Sequence, residues 1–234
     1  MNIIQQFLED TLVQGVDKSL ITYVEKHIAP VYARNDKGHD KNHMLDVISW
    51  GNNIAQLVNK QKPINISAVY CACAYHDIEL YRNRDSHHMI SGGVVRKHAK
   101  KLSQWFNDEE IELIAQACED HRASNPSIPR SIYGKIVSDA DRAPSAADIV
   151  NLIIRGWNFR RKHSPEMNNI DDIFENMFIY FNARYGKGGY ANLILPESKK
   201  IIGPKWKKTR DILKSRQKFR KLFDQLLKKG IIKL

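Results

Sequence analysis

The chain is predicted to be all-α, and three observations carry that reading. Apolar residues recur at helical spacing along nearly its whole length. Capping residues and prolines punctuate those stretches at helix-like intervals. No stretch reads as a strand, and no internal repeat is present.

Taken in order, Ile3, Ile4, Phe7, Leu8 and Leu12 share one face of a first helix. A second is expected over about 17–27, ending at Pro30. Residues 32–42 are polar and loop-like, and they deliver His43 to the start of a helix over about 43–59. Pro63 is expected to open the next, which carries His76 and Asp77 at its C-terminal end. Asp85 or Ser86 could cap a helix over 88–101 despite Gly92 and Gly93 within it. Asn107 with the acids that follow reads as a capped start for a helix reaching Asp120 and His121. Further helices are expected over 131–141, over 146–161 opened by Pro144, and over 170–185. Residues 186–189, Gly-Lys-Gly-Gly, form a flexible turn.

Composition narrows the classes. With 234 residues, 42% of them hydrophobic, the chain can bury a core without covalent staples. Three cysteines do not build a disulfide framework, and Cys71 and Cys73 read as small core residues in a reducing compartment. No run of apolar residues is long enough to span a membrane, and the opening residues lack a secretory pattern. A cytoplasmic location is expected. The net charge of +11 is unevenly placed: residues 199–234 hold 14 Lys/Arg and two acids, a net of +12, which leaves −1 for the other 198 residues. The expected division is therefore a domain over 1–198 and a basic amphipathic helix over 199–234 packed on it. Apolar positions Ile212, Leu213, Phe219, Leu222, Phe223, Leu226 and Leu227 form that helix's stripe.

The residues that bear chemistry begin with the pair His76-Asp77. His43 lies 33 residues before His76, and Asp141 lies 64 residues after Asp77. Two imidazoles and two carboxylates form a borderline-hard N and O donor set. It suits Mn, Fe, Co, Ni or Zn, with Mg also admissible, and leaves positions open for water and a phosphate oxygen. Neighbours on a helix diverge by about 100°, so His76 and Asp77 can share an ion only over the edge between them. Asp139 and Asp141 diverge by about 200°, so only one of them should be a ligand.

The order and spacing of His43, His76-Asp77 and Asp141 resembles the HD-domain superfamily of metal-dependent phosphohydrolases, whose pattern is H…HD…D. The resemblance runs over about 40–142, under half the chain. It implies an HD-type helical bundle in which His43, His76, Asp77 and Asp141 hold one divalent ion, and it selects Asp141 over Asp139. Asp139 then orients a neighbouring histidine or caps locally. His88, three residues before Ser91, and His121 are implied to contact the substrate phosphate or to bind a second ion, in which case Asp77 could bridge the two. Either His87 or His88 could instead be a surface loop residue. Glu79 is a general-base candidate, and Arg142 and Lys135 could neutralise a phosphate. His39 could line the mouth. The chain departs from the family at Asp46, which stands where an arginine often follows the first histidine by three residues; Arg82, Arg84 or Arg96 would have to replace it.

The resemblance implies hydrolysis of a phosphomonoester or phosphoanhydride, with a nucleotide as the expected substrate. Two rivals use the same residues. One is a dinuclear iron oxygenase on the same fold, for which His88 and His121 complete the ligands. The other is a metal-stabilised nucleic-acid-binding protein without catalysis. The charge of 199–234 by itself implies weak, salt-sensitive binding of RNA or DNA.

Overall fold

The structure is a computed structural model that describes residues 13–125, 127–164, 166, 167 and 169–233. The helix expected from Ile3 to Leu12 lies outside the described residues. Among these there are eleven α-helices and no strand, as the sequence predicts. The chain divides into two compact units. One comprises Met1–Pro144 with Ile194–Ser198, the other Ser145–Leu193 with Lys199–Leu234.

In the first unit, Asp17 caps α1 (Lys18–Tyr23) by accepting from the amides of Ser19 and Leu20. The helical path then continues as a π turn (Val24–Ile28) and a 3-10 turn (Ala29–Arg34). The expected stop at Pro30 does not occur, because Pro30 falls in the first turn of the 3-10 segment, where a missing N–H costs little. Asp40 caps α2 (Lys41–Asn59). Next, α3 (Ile66–Tyr75) starts three residues later than Pro63 suggests, because the Asn65 side chain accepts from the Ala68 amide. It is buried on every side from Ala68 to Tyr75 and packs on both α2 and the helix Asp108–Asp120.

The helix expected over 88–101 is two, α4 (His87–Lys97) and α5 (Ala99–Leu102), divided at His98. Asn107 and Glu110 close a reciprocal capping box on α6 (Asp108–Asp120). Pro144 does not open a helix; α7 (Ile132–Ala147) runs through it, and Asp148 caps the next helix.

Glycines let the helices that carry the site approach closely. A Cβ on Gly51 of α2 would overlap Cys73 Sγ on α3. One on Gly92 of α4 would lie 2.7 Å from Glu119 Cγ and 2.9 Å from the Ala115 carbonyl on α6. Cys71, Cys73 and Cys118 are free and buried, as expected of core residues.

The second unit contains α8 (Ile149–His163), α9 (Ile170–Tyr185), most of α10 (Pro196–Leu213) and α11 (Arg216–Lys228). The single basic helix expected over 199–234 is therefore two helices. Ser215 is extended and accepts from the Lys218 amide, which ends one helix and caps the next. Leu213, Phe219, Phe223 and Leu226 of the apolar stripe are buried inside this unit: Phe219 and Phe223 stand 5.5 and 5.3 Å from the Phe174 ring of α9, and Phe223 stands 5.7 Å from Trp157 of α8. Because α8 and α9 share this core with α11, the observed division falls near residue 144, where a boundary at 198 was expected.

Candidate metal centre

Six side chains from five segments of the first unit converge. His43 enters from the first turn of α2, where the Asp40 cap also accepts from its amide at 3.3 Å. His76 and Asp77 leave the C-terminal end of α3. Their turn is pinned by Tyr32, whose hydroxyl donates to the Ala74 carbonyl and accepts from the Asp77 amide. Asn35 pins it further by donating to the carbonyls of Asp77 and His39. His87 opens α4, His121 ends α6, and Asp141 lies on α7.

The distances sort these residues into two groups that share Asp77. In the first, His43 Nε2 lies 3.3 Å from His76 Nε2, 3.8 Å from Asp77 Oδ2 and 3.1 Å from Asp141 Oδ1. His76 Nε2 lies 3.4 Å from Asp77 Oδ2 and 4.0 Å from Asp141 Oδ1. In the second, His87 Nε2 and His121 Nε2 are 3.2 Å apart, at 3.2 and 3.4 Å from Asp77 Oδ1. Each Asp77 oxygen thus faces its own pair of imidazoles.

The protonation of these rings tests whether an ion fits. Three of them donate Nδ1–H to a carbonyl three residues earlier: His76 to Cys73, His87 to Arg84 and His121 to Cys118, at 2.6–2.7 Å. This fixes the hydrogen on Nδ1 and turns the Nε2 lone pair inward, the arrangement that metal-binding histidines require. Asp77 Oδ1 is buried and has no hydrogen-bond partner among the described residues. Lone pairs and a carboxylate oxygen packed this closely repel one another unless a cation lies among them. The residues therefore fit divalent ions of the transition series in both groups.

The electrostatics agree. Burial works against the Asp77 carboxylate, yet the imidazoles of His76, His121 and His87 hold it well below the usual carboxylate range. Burial also works against a charged ring at His76, and the Asp77 and Asp141 carboxylates outweigh it, pushing that ring up to about 9. Burial dominates at His43 and His121 and lowers both. An ion at His76 competes with a proton for Nε2, so metal loading strengthens as pH rises.

Of the nine side chains singled out in the sequence, the structure gathers His43, His76, Asp77, Asp141 and His121. The second histidine of the Asp77–His121 group is His87, where His88 was expected. His87 is the buried first residue of α4, tied to Arg84, whereas His88 is half-buried and is not among the residues grouped around Asp77. His88 stays beside the group, its ring 5.6 Å from that of His87. Its Nδ1 is buried without a partner, and burial together with His121 and His87 lowers the ring to about 4.

Glu79 turns away from the centre and pairs with Arg82 at 2.9 Å. Arg142 is buried against Asp139 at 3.4 Å. Lys135 is half-buried on α7 and makes no ion pair with a described residue. Asp139 neither orients a histidine nor caps its own helix. Its oxygens accept from the amides of Ile194 and Leu195 at 2.8 and 2.9 Å, holding the segment that leads into α10. Of the suggested replacement arginines, Arg96 is bound to Glu112 and Glu119, and Arg84 pairs with Asp36.

Tyr32, Asn35 and Arg122 were not foreseen. Arg122 bonds the carbonyl and carboxylate of Asp85, bracing the turn that presents His87. Their partners are carbonyls and turns distant in sequence, so no local pattern marks them.

Comparison with known proteins points the same way. Residues 41–143 match the HD domain family. No curated protein matches the chain. Among solved structures it is similar to a predicted HD superfamily hydrolase from an uncultured Thermotogales bacterium. That likeness covers 92% of this chain and 96% of the other, with a TM-score of 0.52 and 14% identity. At that identity it bears on the fold alone.

Proposed function

Because residues 41–143 match the HD domain family, we propose that the chain is a metal-dependent phosphohydrolase acting on a phosphomonoester or phosphoanhydride, with nucleotides as the favoured substrates. One observation carries the reading: the buried Asp77 carboxylate offers each of its oxygens to a separate pair of imidazole nitrogens. His43, His76, Asp77 and Asp141 would hold one ion, and Asp77, His87 and His121 a second. Bound divalent ions supply Lewis acidity toward a phosphoryl oxygen and bring the pKa of water toward neutrality.

The protein's own groups do the remaining work. Carbonyls of Cys73, Arg84 and Cys118 lock three rings in the tautomer that keeps Nε2 free. Neutral His88, with its Nδ1 unpartnered, is assigned to the substrate phosphate as a hydrogen-bonding group. Glu79 and Arg142 are not assigned catalytic roles, since each is engaged elsewhere. Lys135 stays a candidate phosphate contact.

Six N and O ligands with a shared carboxylate also support a dinuclear iron oxygenase, which is the second reading. A screen separates the two. Protein purified without metal is supplied with Mn, Co, Ni, Zn, Fe or Mg, and release of phosphate from nucleotides and simple phosphoesters is measured beside oxygen uptake. Metal-stimulated phosphate release without oxygen uptake is expected. Oxygen consumption with iron and no phosphate release under any metal would favour the oxygenase.

A further inference from the structure

We propose that the second unit carries a binding pocket for oligophosphate, separate from the metal centre. A concave site of about 470 Å³ lies between the 186–189 turn and α10, within the size range of about 300–1,000 Å³ common for small-ligand sites. Its charged lining is Lys187, Lys199, Lys207, Arg210 and Lys214, with Asp211 as the one acid.

That acid is already committed. Asp211 accepts from Lys207 at 2.9 Å and from Lys214 at 2.8 Å, so the pocket keeps a strong positive excess. Arg210 is fixed in place: its Nε donates to the Tyr185 carbonyl and its Nη2 to Asn192 Oδ1, each at 3.0 Å. A rigid guanidinium is a pre-arranged phosphate donor. Lys187 and Lys199 are exposed and have no ion pair among the described residues.

Trp206 forms part of the wall and is 3% exposed, so it backs these cations with a buried apolar surface. The rim also includes the tight turn at Gly188, whose φ of 80° is in the left-handed region that favours glycine.

The geometry also limits what is recognised. Trp206 is buried, and the Arg210 guanidinium lies 5.1 Å from its ring centre, so its face is closed to a nucleobase. Recognition rests on phosphates, and the oligophosphate can come from a nucleotide or from an inorganic chain.

Calorimetric titration of the full chain, freed of metal by chelation and kept at low salt, tests this with tripolyphosphate, ATP and a short RNA. The expected result is that tripolyphosphate and ATP bind with affinities within a fewfold of each other. K187A/K199A should weaken both at least tenfold, K187R/K199R should keep them, and K221A/K228A, on the exposed face of α11, should change them less than twofold. The proposal is overturned if neither oligophosphate binds. Binding that survives K187A/K199A, falls equally in K221A/K228A, strongly prefers ATP, or is confined to RNA also overturns it.

Discussion

Alanine at Asp77 is expected to lower phosphate release by at least about 10³-fold, which corresponds to several kcal/mol of lost charge stabilisation. Metal content should fall in both halves of the centre at once. Among the described residues no other side chain places oxygens in both groups. His43, His76 and Asp141 alone would hold one half, and His87 and His121 alone the other, with no carboxylate joining them. Circular dichroism should show the helical fold intact, because Tyr32 and Asn35 bond the Asp77 backbone and not its side chain. A variant that keeps metal and activity would remove Asp77 from the centre.

The adjacent histidines give the second large effect. Alanine at His87 should reduce bound metal from two ions to one and lower kcat by roughly 10²-fold, the scale expected when a transition-state contact is lost. Alanine at His88 should leave both ions in place and lower kcat to a similar degree. Metal analysis beside steady-state kinetics distinguishes the two. The assignment fails if the His88 variant loses an ion while the His87 variant keeps both.

That contrast shows where the sequence was legible and where it was not. His43, His76, Asp77 and Asp141 could be read because their order and spacing resemble the H…HD…D pattern, which also selects Asp141 over Asp139. His121 was implied by the same resemblance, and it stands at the end of a well-capped helix. The choice between His87 and His88 depended on where α4 begins, and neighbouring identical residues carry no periodic signal to decide it. The offset from His88 to Ser91 singled out His88, whereas the ring grouped with His121 and Asp77 is that of His87, held by its hydrogen bond to the Arg84 carbonyl. Glu79 was placed by nearness in sequence, but the turn after Asp77 aims it at Arg82. Asp139 has its partners 55 and 56 residues away, beyond any local pattern.

The fold shows a similar split. Asn107 and Glu110 announced α6 because both halves of the capping box are local. Pro63 and Pro144 misled, because a proline marks a boundary only when no nearby side chain competes for the cap. Asn65 caps two residues past Pro63, and Asp148 four past Pro144. In the basic segment, the apolar stripe was visible but the break at Ser215 was not. One serine within a continuous helical pattern gives little warning of a cap.

The central claim is a pair of divalent ions sharing one carboxylate. Its most direct test is crystallography of the protein loaded with manganese, with anomalous scattering used to locate the ions. Two peaks are predicted, both in contact with Asp77, one also with His43, His76 and Asp141 and the other with His87 and His121. No peak at Asp77, or a single ion held by other residues, would contradict it.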